Sequence, residues 1–121
     1  MAWSIRFHED FEEEFGDLRE TVQDELFAMA KLLANFGPQL GRPHADTLKG
    51  SDFANMKELR FAAGGGVWRV AFAFDPKRNG ILLVAGDKSG GSEAKFYKRL
   101  IRHADERYAK HLAQLQGKKD K

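Results

Sequence analysis

The strongest pattern in the chain lies at 67–74, where Trp68, Val70, Phe72 and Phe74 take one parity and Val67, Arg69, Ala71 and Ala73 the other. A period of two sends these sets to opposite faces of a strand. The large set makes a core wall. The other face holds one arginine above two alanines, and small residues beside a long cation leave space for an anion. The preceding segment repeats the pattern, with Leu59 and Phe61 apolar and Glu58 and Arg60 polar. Gly64, Gly65 and Gly66 interrupt the two runs, since glycine reaches positive φ without steric cost. Asp75, Pro76 and the Asn79-Gly80 pair mark a second tight turn. Residues 56–89 therefore read as three antiparallel strands. A four-residue connection, Ala63 to Gly66, sets Arg60 opposite Arg69 and Leu59 beside Val70 and Trp68; an odd-length loop separates the arginines onto opposite faces. Like charges directly opposite each other destabilise a sheet unless compensated. Glu58 is one candidate compensation and a bound polyanion the other.

Around this meander the periodicity is helical. Residues 3–7 alternate and predict a first strand, with Trp3, Ile5 and Phe7 on one face. Phe11, Phe15 and Leu18 then recur at helical spacing, and Gly16-Asp17 divides a short helix from one over 18–35. The longer helix is expected to bury Val22, Leu26, Met29, Leu33 and Phe36. Residues 36–52 form a loop with Gly37-Pro38 and Gly41-Arg42-Pro43 as breakers. A last helix over 93–115 presents Phe96, Leu100, Ala104, Tyr108 and Leu112 at intervals of four. Helices and strands kept apart in this way indicate an α+β fold: a small antiparallel sheet of N-terminal strand plus three-stranded meander, packed by N-terminal helices, with a C-terminal helix. The helices are expected to cover the Trp68/Phe72/Phe74 face and to leave the Arg60/Arg69 face partly open.

The 121 residues predict a single domain over 1–116, with a charged, disordered tail at 117–121. The chain has no cysteine, which excludes disulfides, thiolate metal sites and cysteine nucleophiles. No apolar run approaches the roughly 18 residues of a membrane span, and the first residues lack the character of a signal peptide. A cytoplasmic protein is expected. The net charge of +2 is unevenly spread. Residues 1–35 hold three Lys/Arg against nine Asp/Glu, and residues 36–121 hold seventeen against nine. Such segregation points the second part toward a polyanion or an acidic partner. The Glu12–Glu14 run suits a helix N-terminus and needs no catalytic role. Gly86 to Glu93 lacks P-loop spacing. His103 and His111 have no third ligand in view, so neither a metal site nor a cofactor is expected.

Five pieces in order carry a resemblance: GRPHADTLKGS at 41–51, KELR at 57–60, WRVAFAFD at 68–75, LLVAGDK at 82–88 and KFYK at 95–98. Together they resemble the RelE/ParE superfamily of bacterial toxins, and most closely its HigB-like, phage-derived branch. The resemblance implies a RelE-like microbial RNase fold and the toxin half of a type II toxin–antitoxin pair. It also implies a metal-independent endoribonuclease that cuts messenger RNA on the ribosome and is neutralised by a cognate antitoxin. Carried over by position, Arg60 and Arg69 become phosphate-binding and transition-state cations. Lys88 becomes a further cation or a proton donor to the leaving 5′ oxygen, and Tyr97 a stacking or proton-transfer group. Lys49, Lys57, His44, Lys95 and Lys98 are RNA contacts of second rank; Lys57 has the parity of the apolar face. His44 is also the one histidine placed to reach the site as a base. Lysine at 88 departs from the arginine frequent among related RNases, and the low net charge is unusual for ribosome docking. The ParE branch shares the fold but inhibits DNA gyrase without cutting RNA, and a non-catalytic RNA-binding module is a third alternative.

Overall fold

The computed structural model describes residues 2–119. Five strands form one sheet, in which the first strand of the chain is followed across the sheet by the fifth, fourth, third and second. In the chain they are β1 (Ser4–Phe7), β2 (Ala45–Thr47), β3 (Lys57–Ala63), β4 (Gly66–Phe74) and β5 (Asn79–Asp87), with helices α1 (Glu9–Gly16), α2 (Glu20–Phe36) and α3 (Glu93–Lys119). The meander is antiparallel, as the alternation predicts. β1 instead joins β5 in parallel, and β2 adds a short edge strand to β3 from within the loop at 36–52.

Register in the central hairpin follows from its turn. Gly64 and Gly65 take φ of 56° and 81°, so the connection is the two-residue primed turn whose twist matches the strands. Arg60 accordingly faces Arg69, and Leu59 faces Val70. Leu59, Val70, Phe72 and Leu82 pack with Phe11 of α1 and with Leu26, Met29 and Leu33 of α2. The buried positions of α2 are Val22, Leu26, Met29 and Leu33, as its spacing predicts, whereas Phe36 is 55% exposed.

The other face differs from expectation. It is open only at the arginine end: α3 lies across the rest, and Leu100, Ala104 and Tyr108 pack against Ala71, Ala73, Ile81, Leu83 and Val84. Ala71 and Ala73 are fully buried. The space that small residues leave is filled by a helix, except at the end occupied by the arginines. A bulge beside Ala71 and Phe72 helps, because the consecutive Leu83 and Val84 both join the α3 side. α3 also runs further than the periodicity predicts. Positions 117–119 continue the helix where a disordered tail is expected, and Asp120 and Lys121 lie outside the described residues.

The join between β1 and α1 carries a pH-sensitive group. His8 caps α1 by accepting a hydrogen bond from Asp10 N at Nδ1, while its buried Nε2 has no partner among the described residues. Burial pushes its pKa below the ordinary 6.5; Asp10 opposes this and Arg107 reinforces it. Between 6.5 and the lower folded value, the unfolded chain holds the proton and the folded one does not. Stability contributed here is therefore present above 6.5 and lost as pH falls through that window. His8→Asn keeps a capping acceptor but does not titrate. Denaturant midpoints at about pH 7.5 and about pH 5 are expected to differ less in the variant than in the wild type; equal differences would exclude His8 as the cause.

Candidate functional site

The like-charged pair at the centre of the hairpin is compensated from within the chain. Glu58 stands two residues before Arg60 on the same face, and its side chain is 6% exposed. Arg60 Nη1 donates to Glu58 Oε2 at 2.8 Å. Tyr97, from the start of α3, donates its hydroxyl to Glu58 Oε1 at 2.9 Å and accepts from Arg69 Nε at 3.1 Å. Arg69 Nε lies 3.8 Å from the same carboxylate oxygen, and Nη1 donates to Trp68 O. One carboxylate thus ties together two strands and a helix. α3 can approach this closely because residue 86, opposite Arg69, is glycine: a Cβ there would sit 2.8 Å from the Phe96 ring.

This cluster floors a cleft of about 300 Å³ lined by Glu58, Arg60, Tyr97, Lys88 and the β2-side residues Arg42, Asp46, Thr47, Leu48 and Lys49, with Glu93 at its edge. β5 ends at Asp87, which delivers Lys88 to the cleft mouth; Lys88 Nζ donates to Glu93 Oε1 at 2.8 Å. Arg42 holds Asp46 through Nε at 2.9 Å and Nη2 at 2.8 Å. The hydrogen bond from Lys88, and then its charge, hold the Glu93 carboxyl below its usual range. The Arg42 hydrogen bond and the Thr47 N–H do the same for Asp46. The cleft is therefore a set of cations, of which Arg42, Arg60 and Lys88 are each provided with an internal carboxylate. The Glu93 and Asp46 pairs are open to solvent and exchangeable; in the Glu58 cluster only Arg60 is partly solvated, while Arg69 and the carboxylate are buried.

Of the residues expected from the sequence, Arg60, Lys88, Tyr97 and Lys49 meet in the cleft. Arg69 does not line it: at 7% side-chain exposure it sits beneath Tyr97 and orients that ring. His44 is exposed and off the lining, though its carbonyl accepts from Arg60 N. Lys57 is turned away, its Nζ donating to Pro38 O on the α2 side, as its parity requires. Lys95 and Lys98 are exposed on α3, outside the cleft. From the sequence Glu58 is expected only as a counter-charge and Arg42 only as a basic residue of an exposed loop; Asp46 and Glu93 carry no expectation. The shared parity of Glu58 and Arg60 was the available signal. Among the described residues no three His, Asp or Glu side chains gather as a metal site. No helix among them is long and apolar enough to cross a membrane.

Comparison with known proteins places these residues in context. The family described as phage derived protein Gp49-like (DUF891) matches residues 13–109. Two Mycobacterium tuberculosis proteins are similar in sequence. The putative toxin HigB2 is 45% identical over 104 residues, covering 85% of this chain and 51% of that protein, so the chain spans about half its length. The putative toxin HigB3 is 48% identical over 103 residues, covering 85% of this chain and 88% of that protein. A solved structure of a mutant of the Escherichia coli toxin RelE in the free state shares the fold, with a TM-score of 0.60 at 15% identity, covering 84% of this chain and 95% of that one.

Proposed function

The chain belongs to the phage-derived Gp49-like family, and from that premise we propose that it is the toxin of a type II toxin–antitoxin pair, acting in the cytoplasm as a metal-independent endoribonuclease on ribosome-bound messenger RNA and silenced by a cognate antitoxin. The observation that carries this reading is the Glu58 carboxylate held between two arginines at the floor of a cation-lined cleft.

RNA carries its own nucleophile, the 2′ hydroxyl. The protein must take the proton from that hydroxyl, stabilise charge on the phosphorane and protonate the leaving oxygen. Glu58 is the base. A carboxylate accepts protons at neutral pH as lysine and tyrosine do not. Arg60 is the less buried arginine, at 21% side-chain exposure, and can leave Glu58 Oε2 for the scissile phosphate. Substrate binding then releases the base as it engages the cation. Glu58 takes the 2′ proton, the 2′ oxygen bonds to phosphorus, the bond to the 5′ oxygen breaks, and Lys88 protonates that oxygen. The products are a 2′,3′-cyclic phosphate and a 5′ hydroxyl. Tyr97 and Arg69 keep the carboxylate in place; Arg42 and Lys49 attract the flanking backbone.

Added to a cell-free translation reaction, the purified protein is expected to shorten messages only where ribosomes are translating them. Undiminished protein synthesis with intact messages would sink this function and turn attention to a gyrase supercoiling assay. The Lys88–Glu93 pair gives a finer check. Because the Glu93 carboxylate competes with phosphate for Lys88, Glu93→Gln is expected to tighten single-stranded RNA binding about two- to fivefold, the scale of an exposed ion pair. Weaker binding would show that Glu93 positions Lys88 and does not compete.

A further inference from the structure

We propose that Asp87 is a positioning residue for Lys88, a clip that fixes where the chain leaves β5. The assignment rests on the endonuclease reading, in which Lys88 protonates the leaving 5′ oxygen. The last ladder pair of the β4–β5 hairpin is Trp68 with Asp87. Next to it, the main chain of Val67 is held by two consecutive residues. Its N–H donates to Asp87 Oδ1 at 3.1 Å, and its carbonyl accepts from Lys88 N at 2.6 Å. The same Oδ1 accepts from Ser89 N at 2.9 Å and from the Ser89 hydroxyl. One carboxylate oxygen thus fastens the residues before and after Lys88 to the start of β4. The Ser89 hydroxyl, and then its N–H, hold the Asp87 carboxyl below its usual range.

β4 makes room for this carboxylate. Gly64 and Gly65 form the hairpin turn at positive φ, but Gly66 does not share that conformation. A Cβ at residue 66 would instead lie 2.6 Å from Asp87 Oδ2 and 2.9 Å from Cγ. The absent side chain serves the clip and not the turn.

Lys88 depends on this anchorage because the chain beyond Ser89 is loosely held. Gly90 and Gly91 follow at φ of 77° and 71°, and regular structure resumes only at Glu93. The side chain has one further restraint, the bond from Nζ to Glu93 Oε1 at 2.8 Å, and RNA must displace it. Once that pair opens, a flexible four-carbon stem is aimed only from its own main chain. Proton delivery is the step most sensitive to that aim. As the bond from phosphorus to the 5′ oxygen breaks, the Lys88 ammonium gives that oxygen one proton. It is left as the amine, which water reprotonates. A misplacement of about 1 Å can cost about 10²-fold in rate. A sulfur in place of the 5′ oxygen needs no such proton, because it leaves as a thiolate, thiols having a pKa of about 8.5.

The test uses two messages that differ only in oxygen or sulfur at the bridging 5′ position of the mapped cut. Translating ribosomes present them to wild type, Asp87→Ala, Asp87→Asn and Gly66→Ala, with thermal melts establishing that each variant is folded. Gly66→Ala pushes the carboxylate aside from the opposite strand without altering Asp87. Asp87→Ala and Gly66→Ala are expected to cut the oxygen message about 10²-fold more slowly, with KM within about twofold of wild type. Both are expected to cut the sulfur message at nearly the wild-type rate, and Asp87→Asn, which keeps an acceptor, to recover most of the loss. Amide hydrogen exchange at Lys88, which needs no cleavage, should quicken in Asp87→Ala and Gly66→Ala. Equal losses on the two messages overturn the proposal. So does a folded Asp87→Ala that cuts the oxygen message as wild type does, or unaltered exchange at Lys88. Should the wild type itself leave the oxygen message whole, the endonuclease reading falls, and with it the role given to Lys88, whether or not exchange shows the clip.

Discussion

Glu58→Gln is expected to remove RNA cleavage, by a factor of about 10² to 10⁴, the range contributed by a positioned base. The substitution preserves shape and leaves an acceptor for the Tyr97 hydroxyl, which in the wild type lies 2.9 Å from Oε1. It removes the proton acceptor and the negative charge that both arginines share. Two consequences separate this from simple disruption. RNA binding is expected to hold or to tighten, because the arginines lose an internal competitor, so the loss falls on kcat and not on KM. Stability is expected to drop by about 1–3 kcal/mol, the worth of hydrogen bonds to a charged group, which leaves the fold standing. Cleavage within about tenfold of wild type would place the base elsewhere.

The two arginines face each other in the sheet, yet their replacement should have different effects. Arg69 is buried, donates to Tyr97 and Trp68, and lies outside the cleft lining. Arg69→Ala empties space between sheet and helix and removes one partner from a buried carboxylate, a change of about 3 kcal/mol in comparable pairs. For a chain of this size that corresponds to a fall of roughly 10 °C in melting temperature. Arg60→Ala should cost little stability, because Arg60 is partly solvated and Glu58 keeps Tyr97 and Arg69. Its activity loss should be about 10² to 10³, as when one donor to a developing oxyanion is removed. Thermal melts and single-turnover cleavage of both variants check this division. Arg69→Ala melting as wild type would show that its burial is not structural, and an active Arg60→Ala would remove it from the phosphate.

Much of this architecture was legible in the sequence because its causes are local. The Gly64-Gly65 turn and strict alternation determine the β3–β4 register, and helical spacings of three and four identify the buried positions of α2 and α3. What was not legible depends on partners distant in the chain. β2 is three residues long, with no periodicity of its own, and exists because β3 offers an edge. A four-residue run such as β1 carries no information about its direction in a sheet, so the parallel pairing with β5 could not be read. Ala71 and Ala73 signal space, but not whether a ligand or Ala104 of α3 fills it. In the site, parity put Glu58 beside Arg60 and turned Lys57 away, both as observed. The enclosure of Glu58 depends on Tyr97, which arrives from 39 positions later, and the contact of Lys57 with Pro38 O likewise lies outside the chain's local pattern.

The most direct measurement is the chemistry of the ends left on a translated message, with wild type beside Glu58→Gln and a parallel set lacking ribosomes. Discrete cuts ending in 2′,3′-cyclic phosphate and 5′ hydroxyl, present in the translated wild-type sample and absent with Glu58→Gln, are the expected result. Cuts bearing 3′ hydroxyl and 5′ phosphate, or equal cutting by the variant, would contradict attack by the RNA's own 2′ oxygen under the control of Glu58.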